Sequence, residues 1–177
     1  MPRCKHCKEK FIAKKFLQKF CMEKDECIKV FLSEIKATKW KEDKAVLKEK
    51  LKTLGQYEAE AKILFQKWVR LRDLGKPCIS CGKVTDEMDA GHFKKAEIYT
   101  GVIFNENNCH SQCRKCNRFQ NGNELNYRLG LIDRYGLDFA NDIEQLANDT
   151  RQFKFTKDQL IAKKLQYDLK YKEDLKK

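Results

Sequence analysis

At 177 residues the chain is long enough for one ordinary domain or two to three small ones. Only 2 Pro and 8 Gly among 36% charged and 41% hydrophobic residues suit a helix-rich fold and exclude a disordered chain, while a formal charge of +12 points to a polyanionic partner, nucleic acid first. With no apolar run of about eighteen residues and no secretory h-region in MPRCKHCKEK, a cytoplasmic protein with reduced thiols and no membrane span is expected.

Eight of the nine cysteines fall into pairs: Cys4-x2-Cys7, Cys21-x5-Cys27, Cys78-x2-Cys81 and Cys113-x2-Cys116, leaving Cys109 over. In a reduced compartment this spacing is that of metal ligands rather than disulfides. Residues 1–27 read as a small zinc-bound module in which Cys4, Cys7, Cys21 and Cys27 hold the ion and Phe11, Phe16 and Phe20 lie in a basic stretch between them. So short a segment buries too little apolar surface to fold without metal. The charge is uneven: residues 1–75 hold 20 Lys/Arg against 11 Asp/Glu, residues 76–177 hold 18 against 15.

Residues 28–75 read as a basic helical scaffold. Leu47, Leu51 and Leu54 begin an apolar stripe that Ala61, Phe65, Trp68 and Arg72 continue, with Thr53 as N-cap of a second helix ending near Leu74-Gly75. These helices are the natural surface for a homodimer. Residues 76–124 contain the two remaining CxxC pairs and are the expected seat of chemistry. Residues 125–177 return to helix: Asn126–Arg134, Leu137–Leu146, and a last helix to about Leu175 opened by the capping box Thr156-x-x-Gln159.

Cys78, Cys81, Cys113 and Cys116 form a Cys4 zinc set with 31 residues between the knuckles, more than a plain finger needs. Four thiolates close the coordination sphere, so such a zinc is structural and any catalysis must use the insert. There, Met88 to Phe93 reads as a strand carrying His92 near Asp89, Phe104 to Asn108 as a turn, and Cys116-Asn117 as a helix start. A neutral imidazole suits a general base near pH 7, and carboxylate and amide oxygens suit Mg²⁺ or Mn²⁺, the two requirements of phosphodiester hydrolysis.

The order CxxC…GH…N…CxxCN resembles the HNH, or His-Me finger, nucleases with their ββα-metal core, among them phage endonuclease VII, which also places an Asn directly after its second knuckle. That resemblance implies an α+β, helix-framed fold with His92 as general base, Asn108 holding the imidazole, and Asn117 as a ligand of a catalytic Mg²⁺ or Mn²⁺. Many such enzymes have Asp immediately before the catalytic His. Here that position is Gly91, so Asp89, re-aimed by a bulge, or His110 is left to complete the metal shell. KPCISCGK, DAGHF, FNENNCHSQCRKCN and YRLGLIDRYGL are similar to the phage NinG (Rap) recombination family over nearly the whole chain. This likeness implies a structure-specific endonuclease of branched DNA, such as Holliday junctions and D-loops. Lys94, Lys95, Arg114, Lys115 and Arg118 flank the candidate site and are candidate phosphate contacts. The alternatives are a non-catalytic zinc-dependent DNA-binding accessory protein and an HNH nickase of linear duplex.

Overall fold

The computed structural model describes residues 1–176, which divide into two units, residues 1–52 and the remainder from residue 53. The boundary runs through the expected 28–75 scaffold. Its first helix belongs with the amino-terminal cysteines, its second with the chemistry-bearing insert.

In the first unit the Cys4–Cys7 loop closes with a Lys8 N–H donating to the Cys4 carbonyl (3.0 Å), and Lys8 takes a left-handed φ of 62°. Phe11, Phe20, Cys4, Cys21 and Cys27 make a miniature core, completed by Val30 and Phe31 from α1 (Asp25–Lys50). Cys27 sits in the first turn of α1. Past Phe31 the helix loses its partners. Leu32, Ile35, Trp40, Val46 and Leu47 are exposed, as are Leu51 and Leu54 at the break that follows. The expected Leu47–Leu51–Leu54 stripe is therefore not a core face within this unit.

In the second unit, α2 (Leu54–Arg72) opens with the expected Thr53 cap, part of a full capping box with Gln56. Its Tyr57, Ala61, Phe65, Trp68 and Val69 are all buried, against α5 (Lys157–Asp174) and against one face of a two-stranded sheet. The Thr156–Gln159 capping box opens α5 as read from sequence. The sheet pairs β1 (Met88–His92) antiparallel with β2 (Cys109–Cys113) in the register His92 opposite Cys109 and Gly91 opposite His110. The pairing is continuous, so the bulge at Gly91 is absent. On the far face of the sheet Phe93 packs with Tyr127 and Leu131 of α3 (Glu124–Tyr135) and with Ala140 and Ile143 of α4 (Leu137–Asp149). The hairpin is thus held between two helix pairs. Gly130 of α3 lies so near the Ile79 carbonyl that a Cβ would stand 1.8 Å from its oxygen, which lets the helix dock on the knuckle backbone.

One buried carboxylate ties these layers together. Asp73, at the end of α2, accepts from Arg72 (2.9 and 2.7 Å), Lys76 (2.9 Å) and the Ser111 N–H of β2 (3.0 Å). Arg72 in turn donates to the carbonyls of Glu106 (3.0 Å) and Cys109 (2.7 Å). Burial would raise the Asp73 pKa, but the bonds from Arg72 and Lys76 outweigh it and bring it down to about 2. Because its pKa in the folded state is depressed, its stabilisation is complete above the ordinary carboxylate value of 3.8 and is lost as pH falls from there toward about 2. Asp73→Ala should cost on the order of 3 kcal/mol at neutral pH, since it strands Arg72, and should flatten that acid limb. Chemical denaturation of both proteins across this window checks it; an unchanged limb would show that other groups set the acid sensitivity.

Candidate active site and metal centres

Both cysteine quartets converge: within each, four thiol sulfurs lie within 4.8 Å of one another. Sulfur separations of 3.8 Å (Cys4–Cys27), 3.7 Å (Cys7–Cys21) and 3.8 Å (Cys81–Cys113) match the roughly 3.8 Å edge of a tetrahedron with Zn–S bonds of about 2.3 Å. Backbone N–H groups of Cys21 and Cys116 point at the sulfurs of Cys4 and Cys113, and the Asn123 amide at Cys116, donors that suit thiolates. Each quartet can hold a metal ion such as zinc. In the second knuckle Gly82 takes the left-handed φ (68°) that Lys8 takes in the first, so the two loops share one backbone solution.

Alternation along the strands sorts the candidate residues. His92 and Cys109 face α2, while Gly91, His110 and Gln112 face α3. His92 Nε2 lies 3.0 Å from the Ile103 carbonyl oxygen. A carbonyl only accepts, so Nε2 carries the proton and Nδ1 keeps its lone pair. Burial holds the imidazole pKa below the usual 6.5, which makes the ring neutral at pH 7. The sulfur of Cys109 is 3.9 Å from Nδ1, and burial pushes that thiol far up, so it stays protonated, donates its S–H weakly to Nδ1 and is no nucleophile.

The imidazole borders a cleft of about 270 Å³ shared with Asn117 and with Lys62, Gln66, Glu97 and Asn121. Two expected residues thus meet, His92 from β1 and Asn117 from the π-helical turn Lys115–Phe119 that stands where the helix start was expected. The helix proper, α3, begins at Glu124. Lys62 and Gln66 were missed because they sit four apart on the polar flank of the α2 stripe, and sequence does not say which flank meets the hairpin.

Asn108 does not touch His92. Its amide donates to the carbonyls of Lys94 (3.0 Å) and Val102 (3.1 Å) and accepts from the Lys94 N–H (2.8 Å). It braces the loop whose Ile103 carbonyl holds the ring. His110 is not in the cleft either. Fully packed on the α3 face, its Nδ1 lies 3.2 Å from the Tyr127 hydroxyl, which itself donates to the Gly91 carbonyl (2.9 Å), and burial lowers its pKa to about 4. A neutral histidine held this way positions β1 and does not complete a metal shell beside His92.

Asp89 also leaves the His92 face, yet meets Asn117 there: the Asn117 amide nitrogen donates to it at 3.1 Å. Arg118 forks onto the same carboxylate at 2.8 and 3.1 Å. Burial opposes ionisation of Asp89, but Arg118 and Asn117 prevail and hold its pKa below the usual carboxylate range. Gly91 leaves room for Gln112, whose side chain crosses to Ser80 (2.7 Å) and the Gly122 carbonyl (2.6 Å). A Cβ on residue 91 would stand 2.2 Å from Gln112 Oε1, which has no hydrogen-bond partner among the described residues. The Asp that many HNH enzymes carry at this position would require that side chain to move.

Among the candidate phosphate contacts, Lys94 is committed to Glu124 (2.8 Å) and Glu144 (3.3 Å), Arg114 to Glu87 (2.8 Å) and Arg118 to Asp89. Lys95 donates to Asn121 (2.9 Å) at the cleft, and Lys115 carries no ion pair among the described residues. Among those residues no helix is long and apolar enough to cross a membrane.

A helix-rich α+β chain with a two-stranded hairpin and two cysteine quartets able to bind metal is the class these features define. The family model described as "Bacteriophage Lambda NinG protein" matches residues 1–177, and the chain belongs to that NinG family. It is similar to Protein ninG of Salmonella phage P22, with 34% identity over 70% of this chain and 60% of that protein, and to Protein ninG of Escherichia phage lambda, with 36% over 70% and 59%. The aligned stretch thus spans about three-fifths of those relatives. No solved structure matches.

Proposed function

We propose that the chain is a metal-dependent endodeoxyribonuclease of phage recombination, with an HNH-like ββα-metal core and two structural zinc ions. One observation carries the reading: an imidazole fixed on a carbonyl through Nε2, neutral at pH 7, sharing a cleft with the residue that follows the zinc knuckle. His92 accepts a proton from attacking water at Nδ1, the water taking the place of the weak Cys109 S–H contact. Lys95 brings positive charge to the cleft for the phosphate, and Lys62 joins it on releasing Glu97, with which it pairs at 3.3 Å. Asp89 and Asn117 are hard oxygen donors already in contact, and with the Asn117 amide turned they fit Mg²⁺ or Mn²⁺. That ion, when bound, neutralises charge developing on the phosphate. Branched DNA as substrate, and the homodimer that paired cuts would need, belong to the proposal and rest on the sequence resemblance alone.

One observation favours a non-catalytic, zinc-dependent DNA-binding protein instead: the Asp89 carboxylate is occupied by Arg118. Incubating labelled four-way junction, D-loop and linear duplex with the protein in Mg²⁺ or EDTA separates the readings. Junction cleavage in Mg²⁺ alone supports the proposal; binding without cleavage in either supports the accessory protein. Linear duplex cut as fast as junction would remove the branched substrate and leave an HNH nickase.

A further inference from the structure

The first unit carries a groove of about 860 Å³ between its 14–20 loop and α1, with Phe20, Phe31 and Ile35 in its lining. At its lip Phe16 is 94% exposed, and Leu17 is exposed with a left-handed φ of 58°. That conformation is unfavourable for a leucine, and its neighbours hold it in place. The Lys14 N–H donates to Gln18 Oε1 (2.9 Å), and Gln18 Nε2 donates to the Phe20 carbonyl (2.7 Å), so one amide braces both sides of the turn. The braced turn thereby presents an aromatic ring to solvent.

Its surroundings are cationic. Residues 1–24 hold 8 Lys/Arg against 2 Asp/Glu, and Lys14, Lys15 and Lys19 bracket Phe16 with no ion pair among the described residues. Of the carboxylates in the lining, Glu34 pairs with Lys5 at 2.7 Å. Glu42 and Asp43 line the groove from farther along α1, so a polyanion is accepted at the lip and repelled from the far end. We infer that the lip, Phe16 with Lys14, Lys15 and Lys19, is a stacking site for an unpaired nucleotide of single-stranded DNA. The ring takes the face of a base, and the lysines take the phosphates on either side. Duplex bases, stacked on one another, offer the ring no face. The site lies outside the cleavage cleft and functions whether or not His92 cuts.

The test uses the full zinc-loaded chain and fluorescence anisotropy with a labelled oligothymidine and a duplex of equal length. Phe16→Ala is expected to lower affinity for the single strand by roughly ten- to a hundredfold, to leave duplex affinity within about twofold, and to retain its zinc. Phe16→Trp should restore binding and add a tryptophan signal quenched by the single strand, beyond that of Trp40 and Trp68. Equal single-strand affinity of wild type and Phe16→Ala overturns the inference. So does a Phe16→Ala change that abolishes only self-association or only binding to an acidic peptide, because the lip would then be a protein surface. Since only binding is read, a catalytically dead chain that still passes leaves this inference standing while the nuclease reading falls.

Discussion

On the proposed nuclease reading, replacing His92 with alanine should lower single-turnover cleavage of a four-way junction by roughly 10²- to 10⁴-fold, the usual worth of a positioned general base, with junction affinity unchanged. The expectation rests on the tautomer. With the Nε2 proton held by the Ile103 carbonyl, Nδ1 is the ring's one basic site, and deleting the ring leaves the attacking water without an acceptor. The ring also packs against Phe65, with centroids 5.9 Å apart, so the melting temperature must be measured beside the rate. Partial rescue by added imidazole would separate lost chemistry from lost packing. The same geometry sets the pH dependence. Burial lowers the His92 pKa, and the base works in its neutral form. If His92 is that base, the acid limb of kcat/KM should lie below the ordinary 6.5, with the rate flat through neutrality. A limb centred above 6.5, or an alanine variant that cuts normally, refutes His92 as the base.

Removing zinc from the second quartet has the larger structural effect. Cys78 and Cys81 precede the hairpin, whereas Cys113 ends β2 and Cys116 lies in the turn carrying Asn117. An ion there joins both ends of the insert, and structural zinc contributes on the order of 10 kcal/mol of folding free energy in small sites. Cys113→Ser should drop bound zinc from two to one per chain and abolish the cooperative melting of the second unit, with Trp68 fluorescence as a local probe. Cys4→Ser should remove the other equivalent and leave that transition in place. A Cys113→Ser protein that melts like wild type with full zinc content contradicts the assignment.

The sequence makes legible what short-range chemistry determines. Both quartets follow from spacing, the capping boxes at Thr53 and Thr156 from local donors and acceptors, and the α2 stripe from its period. The strand carrying His92 is also where spacing suggests. Other features depend on partners distant in sequence. That His110 faces α3 is decided by strand register, which pairs it with Gly91. That Asn108 holds a loop rather than the ring depends on where Lys94 and Val102 arrive. The carbonyl that fixes His92 belongs to Ile103, and a backbone acceptor carries no signal in residue type. The Thr53 break between the two scaffold helices is legible as an N-cap, but that the helices on either side belong to different units is not, because each is assigned by partners distant in sequence. Lys94, Arg114 and Arg118 read as free cations only until their carboxylate partners are known.

The contact between Gly91 and Gln112 also constrains how this site can change over generations. A carboxylate cannot enter at position 91 alone, because its Cβ would fall 2.2 Å from Gln112 Oε1 and 2.9 Å from Gln112 Cβ. Gly91→Asp should therefore be poorly folded by itself and tolerated once Gln112 is shortened to Ser, a sign of strong epistasis between the two positions. Shortening Gln112 first opens the route, but it breaks the link from the first knuckle to the Gly122 carbonyl. Glycine before the histidine is thus one half of a two-residue lock, and relatives of this chain should be found with both halves or neither.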